Sequence, residues 1–183
     1  MNKRQFLTAG ATAAVGLALS GGARPVVAQQ AAGSLDRANE PLRKVKTTRV
    51  FKCPDGFPNG LAASPEGLWV GEQKLTGAQA ERYGVPEPDD LLENAWLMDW
   101  NSGEVLKTVR TECRNTSGMA YGEGYIWMVA NAAPNGVFQT DMNSRTVSHR
   151  QIPLGGGGNH GAKFRNGKLW VVSTRLRAMM RID

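Results

Sequence analysis

The chain has 183 residues, with 22 Lys plus Arg against 16 Asp plus Glu, a formal net charge of +6, 41% apolar residues and 21% charged ones. Those proportions fit a globular protein and argue against a disordered one. No run reaches the ~18 apolar residues of a membrane-spanning helix, and the 22 glycines follow no three-residue period, which excludes collagen.

Residues 1–28 combine a short basic start, a weakly apolar middle and a small-residue end, the pattern of an export signal. Lys3-Arg4-Gln5-Phe6-Leu7 resembles the twin-arginine export motif, with Lys in place of the first Arg. A buried helix is the alternative, but Gly10, Gly16, Gly21 and Gly22 would weaken one. Cleavage is expected after Ala28, which places the mature chain in the periplasm or outside the cell. It removes Lys3, Arg4 and Arg24 and no acids, so the net charge falls to +3. A nucleic-acid partner thereby loses its main support. Residues 29–46 are expected to be a linker. Cys53 and Cys113 would either pair in an oxidising compartment or remain two free buried thiols.

From residue 47 onward the chain is a repeat. Asn59-Gly60-Leu61-Ala62-Ala63-Ser64-Pro65-Glu66-Gly67-Leu68-Trp69-Val70 recurs as residues 117–128 and 160–171. In each copy Gly precedes Trp by nine residues: Gly60 and Trp69, Gly118 and Trp127, Gly161 and Trp170. A second motif, Asp99-Trp100-Asn101-Ser102-Gly103, matches Asp141-Met142-Asn143-Ser144-Arg145, and Asp183 occupies the same place in the third copy. Each unit predicts a short strand after the Gly, a Gly-containing turn, a strand carrying the Trp, a third strand ending at the Asp, and an Asx-type turn into a fourth. Four short strands in ~40–45 residues describe one propeller blade. The expected fold is therefore all-β, a β-propeller segment of about three four-stranded blades in an incomplete ring. A strand near residues 49–52 is expected in the outermost, fourth-strand position. Fewer than three blades cannot close a ring that needs typically 4–8. The sequence thus reads as a C-terminally truncated copy, or as one that oligomerises through open strand edges.

Residues 58–72, from Pro58-Asn59-Gly60 to Val70-Gly71-Glu72, resemble the repeat of virginiamycin B lyase-type propellers. They are also similar to the gluconolactonase (senescence-marker-protein) and YVTN/NHL-type propellers. The resemblance spans roughly residues 47–183. It implies a small-molecule lactonase or lyase with a divalent ion in the central channel.

Lettering the strands A to D outward from the channel, the D-to-A and B-to-C loops share one face, the usual ligand face. That face should gather Asn59, Ser117, Asn159 and His160 with Glu72, Asn131, Arg175 and Arg177. Convergent polar groups in a concave site are a ligand hypothesis. Glu72 and His160 are the candidate catalytic acid–base pair. Asn59, Ser117, Asn131, Arg175 and Arg177 are candidates for binding substrate. Glu72, Asn131 and Asn159 are the candidate metal ligands, because Ca²⁺ or Mg²⁺ takes oxygen donors. For the asparagines, turn or cap roles are the alternative. His160 follows the glycines 155–158, which would let backbone approach a ligand or merely form a flexible connection. His149 is expected at the rim. Arg175 and Arg177 would receive an anionic group or pair with the insertion at 74–94.

That insertion carries Glu81, Glu87, Asp89, Asp90 and Glu93 against two bases. It would act as a lid, with Tyr83, Leu91 and Leu92 over the mouth, or as a solvated excursion. Trp69, Trp127 and Trp170 are expected between blades. No Cys-x-x-Cys, Gly-x-Ser-x-Gly or phosphate loop is present. The competing reading is a non-catalytic propeller that binds a small ligand or a periplasmic protein. A quinoprotein-like electron-transfer propeller is a third.

Overall fold

The computed structural model describes residues 45–152 and 158–183. The export signal, the linker up to residue 44 and the glycines 155–157 lie outside the described residues. Within the unit Lys46–Asp183 the chain forms three consecutive antiparallel sheets whose strand order follows the chain. Blade I contains β1 (Phe57–Ala63), β2 (Leu68–Gln73), β3 (Glu93–Met98) and β4 (Val105–Thr111), with α1 (Ala78–Tyr83) between β2 and β3. Blade II contains β5 (Thr116–Gly122), β6 (Tyr125–Ala130), β7 (Gly136–Thr140) and β8 (Thr146–Arg150). Blade III contains β9 (Asn159–Arg165), β10 (Lys168–Ser173) and β11 (Ala178–Ile182). These are the blades of a β-propeller, and the ring is not closed.

One expected strand is absent. Residues 45–53 form no strand among the described residues. A fourth-strand position would require pairing along the outer edge of β11; instead the segment lies on the free face of blade I. Phe51 and Cys53 pack there beside Leu68, against Val70, Trp96 and Met98. The insertion also differs from a plain loop. Good helix formers between Gly77 and Gly84 fold into α1, closed by Gly84 in the left-handed conformation (φ 63°). Leu75 and Ala80 are buried, so the insertion is anchored.

The repeated residues hold the blades together. Trp69, Ala95, Leu97 and Val109 of blade I meet Met119, Ile126, Met128 and Phe138 of blade II. Trp127, Val129 and Val137 of blade II meet Leu169 and Val171 of blade III, with Ala162 and Phe164 beside them. In both seams the Trp stacks on the aromatic ring three residues after the next blade's Gly. Trp69 lies on Tyr121 at 6.0 Å and 20°, and Trp127 on Phe164 at 5.8 Å and 19°. Trp170 faces no further blade among the described residues and is 39% exposed, with its neighbours Val172 and Met179 at 38% and 69%. The recurrent Gly has a steric cause. A Cβ on Gly118 would stand 2.8 Å from the Gly161 backbone, so only glycine lets the innermost strands approach this closely.

The Asp turns form as expected. Asp99 Oδ1 accepts the amides of Asn101 and Ser102, and Asp141 Oδ1 accepts those of Asn143 and Arg145. These bonds favour the ionised form, and both carboxyls titrate below the usual range, Asp99 chiefly through the Ser102 amide and Asp141 chiefly through that of Arg145.

Candidate functional site

The polar ends of strands A and B reach across the seams. Asn59 Nδ2 donates to Gln73 Oε1 and to the Thr116 carbonyl, both at 3.0 Å, and Gln73 Nε2 donates to Asn115 Oδ1. One seam further on, Asn131 Nδ2 donates to Ser117 Oγ at 2.8 Å, and Asn131 Oδ1 accepts the Asn159 amide at 2.9 Å. Asn159 Nδ2 donates to the Ala130 carbonyl at 3.3 Å, and its buried Oδ1 has no hydrogen bond among the described residues. The three asparagines therefore cap one blade on the next, a wider role than a local turn.

Glu93, counted from sequence only as one acid of the insertion, opens β3 and is 1% exposed. Its carboxylate accepts the amides of Lys74, Asn115 and Thr116 and the Thr116 hydroxyl. It thus ties the insertion and blade I to the first strand of blade II. Burial pushes its carboxyl above the usual range, against the pull of those four bonds. Its partners lie 19–23 residues away in sequence. The available signal was position: Glu93 stands six residues before Asp99, the place held by Asn135 and Arg177 in the other blades.

Cys53 and Cys113 are both free. Cys113 is fully buried in the seam between blades I and II, 3.2 Å from Thr116 Oγ1, and burial pushes its thiol far up.

Glu72 is 1% exposed. Along β2, Trp69 points into the seam with blade II and Val70 into the opposite face. Strand alternation puts Glu72 on the side of Val70, away from blade II. Its Oε2 accepts the Asn94 backbone amide at 3.0 Å and Asn94 Nδ2 at 2.7 Å. No ion pair engages it among the described residues. It lines a cavity of about 560 Å³ between Asp55-Gly56-Phe57 and the insertion residues 85–90. Gly56, at φ +59°, lies so close that a Cβ there would stand 2.7 Å from Glu72 Oε1. Tyr83 caps the outer side of Phe57, ring to ring at 5.7 Å, and remains 59% exposed. Asp90 pairs with Arg110 of β4, and Lys74 Nζ donates to the Asp90 carbonyl at 2.9 Å.

The other candidates lie elsewhere. His160 is exposed on β9, opposite Val172. No hydrogen bond or described cavity joins it to Glu72 among the described residues. Arg175 and Arg177 are exposed in the tight turn between β10 and β11, and the insertion's Asp90 takes Arg110 instead. His149 is at the rim on β8, stacked on Phe138 at 4.3 Å. Asn59 and Ser117 do share a cleft of about 600 Å³, where the inner strands of all three blades meet beside Phe51 and Cys53.

No protein-family model matches the chain, and no curated protein is matched by it. Among solved structures, the chain is similar to the PQQ-bound form of aldose sugar dehydrogenase from Streptomyces coelicolor. The identity is 18% and the TM-score 0.41, over 66% of this chain and 38% of that one. It is also similar to the computationally designed Ika4 protein, at 9% identity and a TM-score of 0.40, over 75% of this chain and 98% of that one. The chain thus spans well under half the length of the dehydrogenase. The blade architecture itself stands on the sheet order and the two repeated seams.

Proposed function

We propose that this chain belongs to an exported propeller that captures a small molecule on its loop-bearing face without turning it over. The ligand would sit between Glu72 and the insertion. The observation that carries this reading is Glu72 itself: a buried carboxylate without an ion-pair partner among the described residues, lining a cavity walled by an anchored excursion. Such a cavity has the size and mixed lining of a small-molecule site. The separation of Glu72 from His160 favours capture over acid–base catalysis, which needs both groups on one reacting centre.

The test is a thermal-shift screen of neutral, anionic and cationic metabolite-sized compounds, followed by mass spectrometry of each stabilising compound after incubation. Capture predicts stabilisation by at least one class, loss of the effect in Glu72→Gln, and recovery of the compound unchanged. Appearance of product would replace this reading with an enzyme.

A second reading, the lactonase or lyase type with a channel Ca²⁺ or Mg²⁺, is favoured by one observation. Asn159 Oδ1 is buried and without a hydrogen bond among the described residues, and the Asn159 backbone amide donates to Asn131 Oδ1, which retains a free lone pair. Those two oxygens fit a hard cation. Glu72, the third oxygen ligand of this reading, lines the cavity beside the insertion. Dependence of the melting temperature on added calcium, lost in Asn159→Ala, would favour this reading.

Export is part of the proposal. Mass analysis of protein recovered from the periplasm should give a mature chain beginning at Gln29; an intact Met1 terminus would contradict it.

A further inference from the structure

We propose that the ligand of the Glu72 cavity is an organic cation, an amine or guanidinium carried on a short apolar body. This inference rests on the capture reading and names its substrate class. The cavity's carboxylates are Asp55, Glu72, Glu87, Asp89 and Asp90, against a single base, Lys74, whose ammonium already donates to the Asp90 carbonyl. Three of the rim acids are partly engaged. Asp55 accepts the Gly56 amide, Glu87 accepts the Gly77 amide, and Asp90 pairs with Arg110.

Glu72 is the independent observation. It is buried at 1% exposure, both of its hydrogen bonds go to Oε2, and Oε1 has no partner among the described residues. A buried carboxylate without a countercharge carries a desolvation cost that an incoming cation offsets. Asn94 holds Oε2, and Oε1, beside Gly56, is the acceptor left for an incoming donor.

Two features select an organic cation over a bare ion. The cavity, at about 560 Å³, is far larger than an ion and its shell of ligands. No group of three His, Cys, Asp or Glu side chains stands close enough to hold a metal among the described residues. The apolar part of the lining is Phe57, Leu75 and Val85 with Pro86 and Pro88. Phe57 offers an aromatic face to a cation or its hydrocarbon arm.

The experiment is calorimetric titration of the full-length chain at pH 7 with benzylamine, agmatine, benzyl alcohol and calcium chloride. The amines should bind at least tenfold more tightly than benzyl alcohol, the neutral counterpart of benzylamine. Glu72→Gln, which preserves the acceptor facing Asn94, should weaken amine binding at least tenfold. A rim variant with Asp55→Asn and Asp89→Asn tests the field without touching the buried carboxylate. It should weaken binding about two- to fivefold, and should do so less at high salt.

Equal binding of amine and alcohol, both lost in Glu72→Gln, would overturn the cation class while leaving capture standing. Amine binding unaffected by either variant would overturn the site. Calcium binding without amine binding would make it a metal site and overturn the proposal.

Discussion

Replacing Trp127 with alanine is expected to lower the unfolding free energy by about 3–5 kcal/mol, whereas the same change at Trp170 should cost about 1 kcal/mol or less. Both residues occupy the same place in the repeat, so propensity and strand pairing are held constant between them. The difference is the seam. Trp127 is 7% exposed and stacks on Phe164, while Trp170 is 39% exposed with no aromatic partner among the described residues. Truncating Trp127 removes a large buried side chain and leaves a cavity between two sheets. Trp69, stacked on Tyr121, should behave like Trp127. Equilibrium urea unfolding of the three variants, followed by far-ultraviolet circular dichroism, measures this. Equal losses at all three positions would mean that the outer face of blade III is covered in solution.

The second large effect belongs to Glu93. Glu93→Ala should cost about 3–5 kcal/mol, because it strips the amides of Lys74, Asn115 and Thr116 of their acceptor at once. Glu93→Gln should cost less, since one oxygen remains. The pH dependence has a definite sign. Burial raises the carboxyl in the folded chain, so the folded state holds this proton more tightly than the unfolded state does. Its contribution is fully present below the unfolded glutamate value of about 4.3 and is lost as pH rises through the folded one. Wild type compared with Glu93→Gln should therefore lose stability as pH rises from about 4 toward neutrality. A difference that grows in the opposite direction would mean that the four hydrogen bonds outweigh desolvation.

The blades were legible because their determinants are local. The Gly60–Trp69 spacing, the Asp-x-Asn-Ser turn and alternating apolar residues specify hairpins within one unit, and Trp69 and Trp127 lie between blades as the repeat placed them, whereas Trp170, expected in the same position, is 39% exposed. The strand expected near residues 49–52 did not form, because strand identity there requires an edge that the local sequence cannot supply. Phe51 lies instead on the free face of blade I. The roles of Asn59, Asn131 and Asn159 were hidden because each bonds to another blade, 28 to 57 residues away. Glu93 was hidden for the same reason.

Glu72 was expected on the loop-bearing face from its place at the end of β2. Its direction was set by the parity of β2 relative to Trp69, a three-dimensional consequence that separates it from His160. α1 was readable in retrospect from Ala78-Gln79-Ala80-Glu81-Arg82 between two glycines, a pattern masked by the acidic run that follows it.

The claim that Glu72 works with the insertion, and not with His160, is open to a double-mutant cycle. Benzylamine affinity is measured by calorimetry for the wild type, Glu72→Gln, His160→Ala and the double variant. The account predicts at least a tenfold loss for Glu72→Gln, no change for His160→Ala, and a double variant equal to Glu72→Gln alone. A comparable loss for His160→Ala, with a double variant no worse than either single one, would place both residues in one site and contradict the account.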